Sequence, residues 1–260
     1  MEKNVVPSRK SMNCPFDIVI PARYHSSRMP GKLLEDICGK SMIKRVIERA
    51  KTSGAENVIV AYDDERIGPE IESVSGAVAC KTSFDHPSGT DRVAEAVATL
   101  GLPNDRIVVN LQGDEPLIPP ALIDRVAAAL SEADEAAVAT AAKPLRCHSE
   151  LRDPNIVKCV VDHNSYALYF SRSAIPWHTS QTIESEIAFH HIGIYAYYAG
   201  YLVQHAQREV CPLEAAERLE QLRVMYNGDR IIVVIEESYE SLGIDTPQDL
   251  EYARQLLADR

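Results

Sequence analysis

Short apolar runs alternate along this chain with longer stretches in which apolar positions recur every three or four residues. The first run, residues 16–20 (FDIVI), is short, β-branched and nearly apolar throughout, the pattern of a buried strand. Residues 42–53 (MIKRVIERAKTS) put Ile43, Val46, Ile47 and Ala50 on one side of a helix. The alternation repeats, with strands over 58–61, 77–80, 107–111 and 137–141 and helices over 65–74, 91–100 and 120–130. Strands separated by helices at this spacing predict an α/β fold: a mostly parallel, Rossmann-like sheet with helices on both faces, in three α/β/α layers.

The rhythm changes after Pro144. Residues 156–161, 167–170 and 191–198 are strand-like with no long helix between them, which predicts a smaller β-rich insertion over about 145–200, built as hairpins or a mixed-sheet extension. A helix over 214–224, a strand over 231–235 and a helix over 247–257 follow. No repeat, low-complexity tract or Gly/Ser linker divides the chain, so residues 16–260 read as one domain and 1–15 as a flexible N-terminal extension. Residues 1–16 carry charges but no apolar core of 7–15 residues, unlike a secretory signal. No window approaches 18 consecutive apolar residues, which argues against a membrane span.

Composition narrows the function classes. With 45% hydrophobic and 25% charged residues among 260, the chain is neither disordered, collagenous nor a coiled coil. Its 38 acidic against 27 basic residues leave a net charge of −11, which weighs against a nucleic-acid partner. A small anion remains compatible, because a few cations and a bound metal focus potential locally. The six cysteines are at least 12 positions apart with no C-x-x-C, so zinc and dithiol sites are not indicated and reduced, cytoplasmic thiols are expected.

Several connections carry polar residues where an open α/β sheet binds ligands, at the carboxyl ends of strands. The loop after the first strand holds Arg23, Arg28 and Lys32, a set suited to phosphate through charge-assisted hydrogen bonds, or simply a surface loop of solvated charges. It is neither a Walker A loop nor G-x-G-x-x-G. Leu111-Gln112-Gly113-Asp114-Glu115-Pro116 follows the fourth strand. A carboxylate there suits Mg2+, and the same tetrapeptide Gly-Asp-Glu-Pro is equally good turn chemistry without metal. Gly243-Ile244-Asp245-Thr246-Pro247 opens the last helix and reads first as capping, with Thr246 at the N-cap, Pro247 at the first helical position and Asp245 complementing the dipole. Ser88-Gly89-Thr90-Asp91-Arg92 offers helix-start N–H groups to a base or phosphate, or a cap by Ser88 or Thr90. Adjacent His190 and His191 on a strand point to opposite faces, which argues against a zinc pair. No G-x-S-x-G or H-E-x-x-H occurs.

Taken in order, the blocks IPARYHSSRMPGK (20–32), HPSGTDR (86–92), VNLQGDEP (109–116), DPNIVK (153–158), YALYFSRSAIPW (166–177), HIGIYAY (191–197), PLEAAERLEQLR (212–223) and GIDTPQDLE (243–251) resemble the 3-deoxy-manno-octulosonate cytidylyltransferase, or CMP-Kdo synthetase, family. The resemblance runs from about Phe16 to Ala258. It implies a nucleotidyltransferase sheet and an enzyme in which the anomeric hydroxyl of the eight-carbon acid sugar Kdo attacks the α-phosphorus of CTP, for lipopolysaccharide biosynthesis. Positioning and electrostatics would dominate such a transfer, without a covalent enzyme intermediate.

By the same resemblance, Arg23 and Lys32 meet the triphosphate, with Arg28 a further contact and Ala22 beside them. Asp114 and Asp245 become Mg2+ ligands, against the capping reading of Asp245. Ser88, Gly89, Arg92 and Gln112 surround the base. Arg172 pairs with the sugar carboxylate, and His191, Tyr195, Glu214 and Gln221 hold hydroxyls. The family forms homodimers through the β-rich insertion, so a homodimer is expected.

Three positions depart from the common family pattern: His190 and Tyr198 stand where arginines are frequent, and Tyr239-Glu240-Ser241-Leu242 replaces a Pro/Gly-rich segment. Loss of two cations near the implied sugar site leaves a related acid sugar, an 8-amino analogue or sialic acid, as the alternative substrate. A catalytically silent nucleotide-binding protein is the alternative outside the enzyme class, yet Arg23, Lys32, Asp114 and Asp245 are all present.

Overall fold

The structure, a computed structural model, describes residues 14–25, 29–177, 187–239 and 243–258. Most of the expected N-terminal extension, Arg28 and residues 240–242 therefore lie outside the described residues. Strand β1 (Phe16–Ala22) leads through a 3-10 turn (Lys32–Leu34) and the short pair β2 (Asp36–Ile37) and β3 (Lys40–Ser41) into α1 (Met42–Ala50). Then come β4 (Asn57–Tyr62), α2 (Gly68–Glu72), β5 (Ala77–Lys81), α3 (Gly89–Leu100), β6 (Ile107–Asn110), α4 (Pro120–Glu132) and β7 (Ala136–Pro144). The second half comprises α5 (His148–Arg152), β8 (Lys158–Val161), β9 (Ala167–Ser171), β10 (Phe189–Tyr198), α6 (Ala199–Ala206), α7 (Pro212–Glu217), α8 (Gln221–Tyr226), β11 (Arg230–Ile235) and α9 (Pro247–Ala258). No helix among the described residues is long and apolar enough to cross a membrane.

The main sheet runs β11-β7-β10-β6-β1-β4-β5, with β8 joined to β10 and β9 to β8. β5, β4, β1 and β6 are mutually parallel, as are β7 and β11, so the sheet is mostly parallel as the strand–helix alternation predicts. Along β1, Ile18 and Ile20 face the layer that holds Ile43 and Val46 of α1 and Leu122 and Val126 of α4. Val19 faces the opposite layer, with Val93 of α3, Leu202 of α6 and Leu222 of α8. Burial on both faces is why these strands read as continuous apolar runs instead of alternating ones.

Two elements differ from the sequence reading. The strand placed in the β-rich insertion at 191–198 is β10, which lies inside the main sheet, antiparallel to both β6 and β7. Among the described residues the β8–β9 hairpin projects beyond it, pairing with the first residues of β10. Periodicity reports that a strand is apolar on both faces, and is silent about which neighbours it joins. Ile192, Ile194 and Ala196 pack into one layer while Phe189 and Tyr197 pack into the other.

The helix predicted over 214–224 is broken into α7 and α8. Arg218 sits at φ 54°, ψ 47° and ends α7 in a left-handed turn, its N–H donating to the Glu214 carbonyl at 2.7 Å. The apolar spacing continues through the break, so the pattern alone hides it. A non-glycine residue in this conformation carries a strain of about 1 kcal/mol, which glycine relieves. Arg218→Gly is expected to raise the unfolding free energy by about 0.5–1 kcal/mol in urea denaturation. A lower value would show that the arginine side chain stabilises the break.

Candidate active site

The carboxyl ends of β1, β4 and β6 lie side by side, and β10 runs the opposite way beside β6. The chain runs outward from β1 through β4 to β5 and then places β6 on the other side of β1, and this reversal of strand order opens a crevice above their ends. A cavity of about 160 Å³ occupies it, lined by Arg23, Lys32, Ser88, Gly89, Arg92 and Gln112, together with Gly113, Asp114, Asp245, His86, Pro21 and Leu33. Four segments far apart in the chain thus converge on one place.

The loop after β1 folds back on itself: the Gly31 N–H donates to the Tyr24 carbonyl at 2.9 Å, with Gly31 at φ 73°, where glycine carries no Cβ penalty. Lys32 follows directly. Its Nζ donates to Asp114 Oδ2 at 2.6 Å, to the Ile244 carbonyl at 3.0 Å and to Asp245 Oδ1 at 3.1 Å. Burial pulls the ammonium toward its neutral form, and the carboxylates of Asp114 and Asp245 outweigh that, holding the pKa above its usual value. Gly113 lets the β6 loop approach β1, since a Cβ there would come within 3.2 Å of the Pro21 carbonyl oxygen.

The capping reading of the last helix survives in part. Thr246 Oγ1 accepts from the Asp249 N–H at 3.2 Å, while Asp249 Oδ2 accepts from the Thr246 N–H at 2.8 Å, a reciprocal cap. Capping therefore falls to Thr246 and Asp249, and the Asp245 side chain is turned to Lys32. Ser88 caps α3, its hydroxyl oxygen accepting from the Asp91 N–H at 3.2 Å, which sets Gly89 as the first helical residue at the cavity wall. Gln112 reaches back to Asn110 Oδ1 at 3.3 Å, and Asn110 donates to Thr90 Oγ1 at 3.2 Å. Arg92 lines the cavity while its guanidinium is directed to Asp63, Thr82 and Ser83.

The remaining candidate residues lie on β10, just after β9, and on α7 and α8. Arg172 follows β9; its Nε donates to the Glu217 carbonyl at 2.9 Å and its Nη1 to the Pro154 carbonyl at 3.0 Å. Lys158, wholly buried beneath it, donates to the carbonyls of Asp153, Ile156 and Arg172 at 2.8, 2.6 and 2.5 Å. His191 Nε2 lies 2.9 Å from the hydroxyl of Thr140, which itself donates to the Ile194 carbonyl at 2.7 Å, inside a bulge in β10. Tyr195 donates to Gln221 Oε1 at 3.2 Å, and Gln221 Nε2 is buried with no hydrogen-bond partner among the described residues. Both oxygens of Glu214 accept from Arg223, at 2.7 and 2.6 Å, so this carboxylate braces α7 against α8. Arg172, His191, Tyr195, Glu214 and Gln221 do not line the cavity that holds Lys32.

Sequence reasoning passed over Asp63, His86 and Thr140. His86 lies within a quoted block, lines the cavity and pairs with Glu95. Asp63 follows β4 at the same sheet end as the other site residues, a position that could have flagged it. Thr140 sits in an alanine-rich strand and gives no signal of its own.

Comparison with known proteins adds to this geometry. The chain matches the family described as Cytidylyltransferase over residues 18–231. It is 47% identical over 250 residues to the 3-deoxy-manno-octulosonate cytidylyltransferase of Vibrio cholerae, covering 94% of this chain and 98% of that one. It is 46% identical over 254 residues to the Histophilus somni protein of the same name, again covering 94% and 98%. A solved CMP:2-keto-3-deoxy-manno-octonic acid synthetase, complexed with CTP, superposes with a TM-score of 0.86 at 40% identity, over 94% of this chain and 99% of that one.

Three imidazoles, His191 and His205 buried and His190 partly so, make stability depend on pH. Burial, reinforced by neighbouring positive charge, lowers His190 and His205 to about 4 and His191 to about 3, from an ordinary 6.5. Below pH 6.5 the unfolded chain takes up these protons while the native state refuses them, so acid favours unfolding. Stability is expected to be full above about pH 6.5 and to fall as pH drops toward 4. Melting temperatures measured across that interval should decline less steeply in His205→Leu than in the parent; equal slopes would show that His205 does not titrate on unfolding.

Proposed function

The chain belongs to the 3-deoxy-manno-octulosonate cytidylyltransferase family, and from that premise we propose that it is a cytoplasmic nucleotidyltransferase that activates Kdo with CTP, giving CMP-Kdo and pyrophosphate for lipopolysaccharide biosynthesis. The observation that carries the reading is the convergence of Lys32, Asp114 and Asp245 on one point at the rim of a cavity that also holds Arg23.

The chemistry requires two anions to meet. Arg23 and Lys32, with Arg28, bind the triphosphate and offset its charge, and the backbone at Ala22 lies beside it. Ser88, Gly89 and Gln112, with Arg92 behind them, surround the cytosine. Arg172 pairs with the sugar carboxylate through its planar guanidinium. His191, Tyr195 and Gln221 hold sugar hydroxyls, with Glu214 keeping α7 and α8 in register around them. The anomeric hydroxyl then attacks the α-phosphorus, the bond between the α- and β-phosphates breaks, and pyrophosphate leaves. These residues contribute chiefly by fixing the reacting atoms in line.

Asp114 and Asp245 also fit Mg2+. Both present hard carboxylate oxygens, and the position of Lys32 Nζ shows that one cationic centre can be reached by both. Two carboxylates plus nucleotide phosphate oxygens form a ligand set this ion ordinarily accepts. When bound, Mg2+ supplies charge neutralisation at the phosphates and polarises the reacting phosphorus. A homodimer formed through the β8–β9 side is part of the proposal, supported by Leu168 and Trp177, large apolar side chains that are 58% and 90% exposed.

A second reading concerns the sugar alone. His190 is held uncharged at neutral pH by burial and by Lys143, so its position supplies no cation. That favours a related acid sugar such as an 8-amino analogue, and comparing kcat/KM for the two sugars separates the readings.

Pyrophosphate release from CTP is expected only when both Kdo and Mg2+ are supplied. Release without either would refute the assignment. Asp114→Asn and Asp245→Asn should each lower kcat by about 10²–10³-fold with the fold intact, and near-normal rates in both would remove the metal role. Arg172→Ala should raise the sugar KM about 10-fold or more while leaving the CTP KM unchanged.

A further inference from the structure

We propose that Asp63 is the positioning residue of Arg23, and that buried Arg92 acts on the site through Asp63. The inference rests on the reading of Arg23 as a triphosphate contact.

Asp63 is the first residue past β4, at the sheet end where the cavity opens. Its backbone N–H donates to the Ala22 carbonyl at 3.3 Å. Its Oδ1 accepts from the Tyr24 N–H at 3.0 Å. The carbonyl before Arg23 and the amide after it are therefore both tied to one residue, which fixes the direction in which the Arg23 side chain leaves the backbone. Asp64 extends the hold by pairing with Arg66, whose guanidinium lies 3.4 Å over the ring of Tyr24.

The other oxygen of Asp63 accepts from Arg92 Nη2 at 3.0 Å. Arg92 Nη1 donates to Thr82 Oγ1 at 2.7 Å and to the Ser83 carbonyl at 2.9 Å. The two charged side chains are 2% and 3% exposed. A buried ion pair of this kind holds only with both partners present, because removing one leaves the other charged and desolvated. Arg92 thus links α3, β4 and the connection after β5, and transmits their rigidity to the loop at Arg23. Three of its five N–H donors are thus committed to protein acceptors that hold it in place.

A double-mutant cycle tests this. Pyrophosphate release is measured for the full-length parent, Asp63→Asn, Arg23→Ala and the double variant, with melting temperatures recorded for each. Each single change should lower kcat/KM for CTP by about 10–100-fold, since misplacing a contact by about 1 Å costs this much. The double variant should be no worse than Arg23→Ala, because on this proposal Asp63 acts on the substrate through Arg23. Should Asp63→Asn fail to fold, Asp63→Glu keeps a charge for Arg92 while displacing the hold on Tyr24, and enters the same cycle. Arg92→Lys should lower kcat/KM for CTP and UTP equally; a changed CTP:UTP ratio would make Arg92 a base contact and overturn its assignment. Multiplied effects in the double variant would overturn the link between Asp63 and Arg23. Full activity in Arg23→Ala would overturn both this inference and the triphosphate reading beneath it.

Discussion

One ammonium group joins the parts of this molecule that matter for its chemistry. Lys32 Nζ reaches a carboxylate 82 positions away and another 213 positions away, so the loops after β1 and β6 and the entry to α9 close on a single atom. Electrostatics makes the closure possible. Asp114 and Asp245 would repel each other in a partly buried cleft, and Lys32 lies between them; in return they keep Lys32 charged despite its burial. The same balance explains how a chain of net charge −11 accommodates a triphosphate. Locally, the two carboxylates are matched by Lys32 and Arg23, and a divalent cation turns the crevice positive whatever the sum over the surface.

The crevice lies where strand order reverses, between β1, which leads outward to β4 and β5, and β6 on its other side. β10, antiparallel to β6 and β7, puts its own start, with His191 and the β8–β9 hairpin, beside the ends of those two strands. The bulge in β10 turns the Ile194 carbonyl to the Thr140 hydroxyl, which in turn meets His191. Burial keeps His191 neutral at any working pH, which leaves this imidazole the hydrogen-bonding character of an uncharged ring.

Much of this could be read from the residues in order. Apolar runs located the parallel strands, and polar connections at their carboxyl ends located the loops that line the cavity. What escaped has a physical pattern. Periodicity encodes burial, so it found β10 and missed its place in the sheet; it passed over Arg218 because a single αL residue leaves the apolar spacing intact. Spacing around Thr246 encodes a cap, and the cap is present, yet a cap does not determine where the neighbouring Asp245 side chain turns. Arg92 reads from the sequence as a base contact and in the structure lines the cavity, but which way a guanidinium faces depends on Asp63 and Thr82, which only folding brings near it.

Those hidden partners have something in common. Asp63 with Arg92, Glu214 with Arg223, and Lys158 with three carbonyls are charged groups removed from water. Apolar side chains of similar volume would stabilise the fold as well or better, since desolvating charge is costly. A packed apolar contact, however, tolerates sliding, whereas a buried ion pair fails unless its donors and acceptors meet within a narrow range of distance and angle. A reaction that depends on bringing two anions into line gains from that intolerance. Each of these pairs backs a residue or helix that carries the implied contacts: Arg92 behind the loop of Arg23, Lys158 behind Arg172, and Arg223 behind the helices bearing Glu214 and Gln221. Asp17 and Arg106 form another such pair at the amino ends of β1 and β6, where it ties the two strands together away from the crevice.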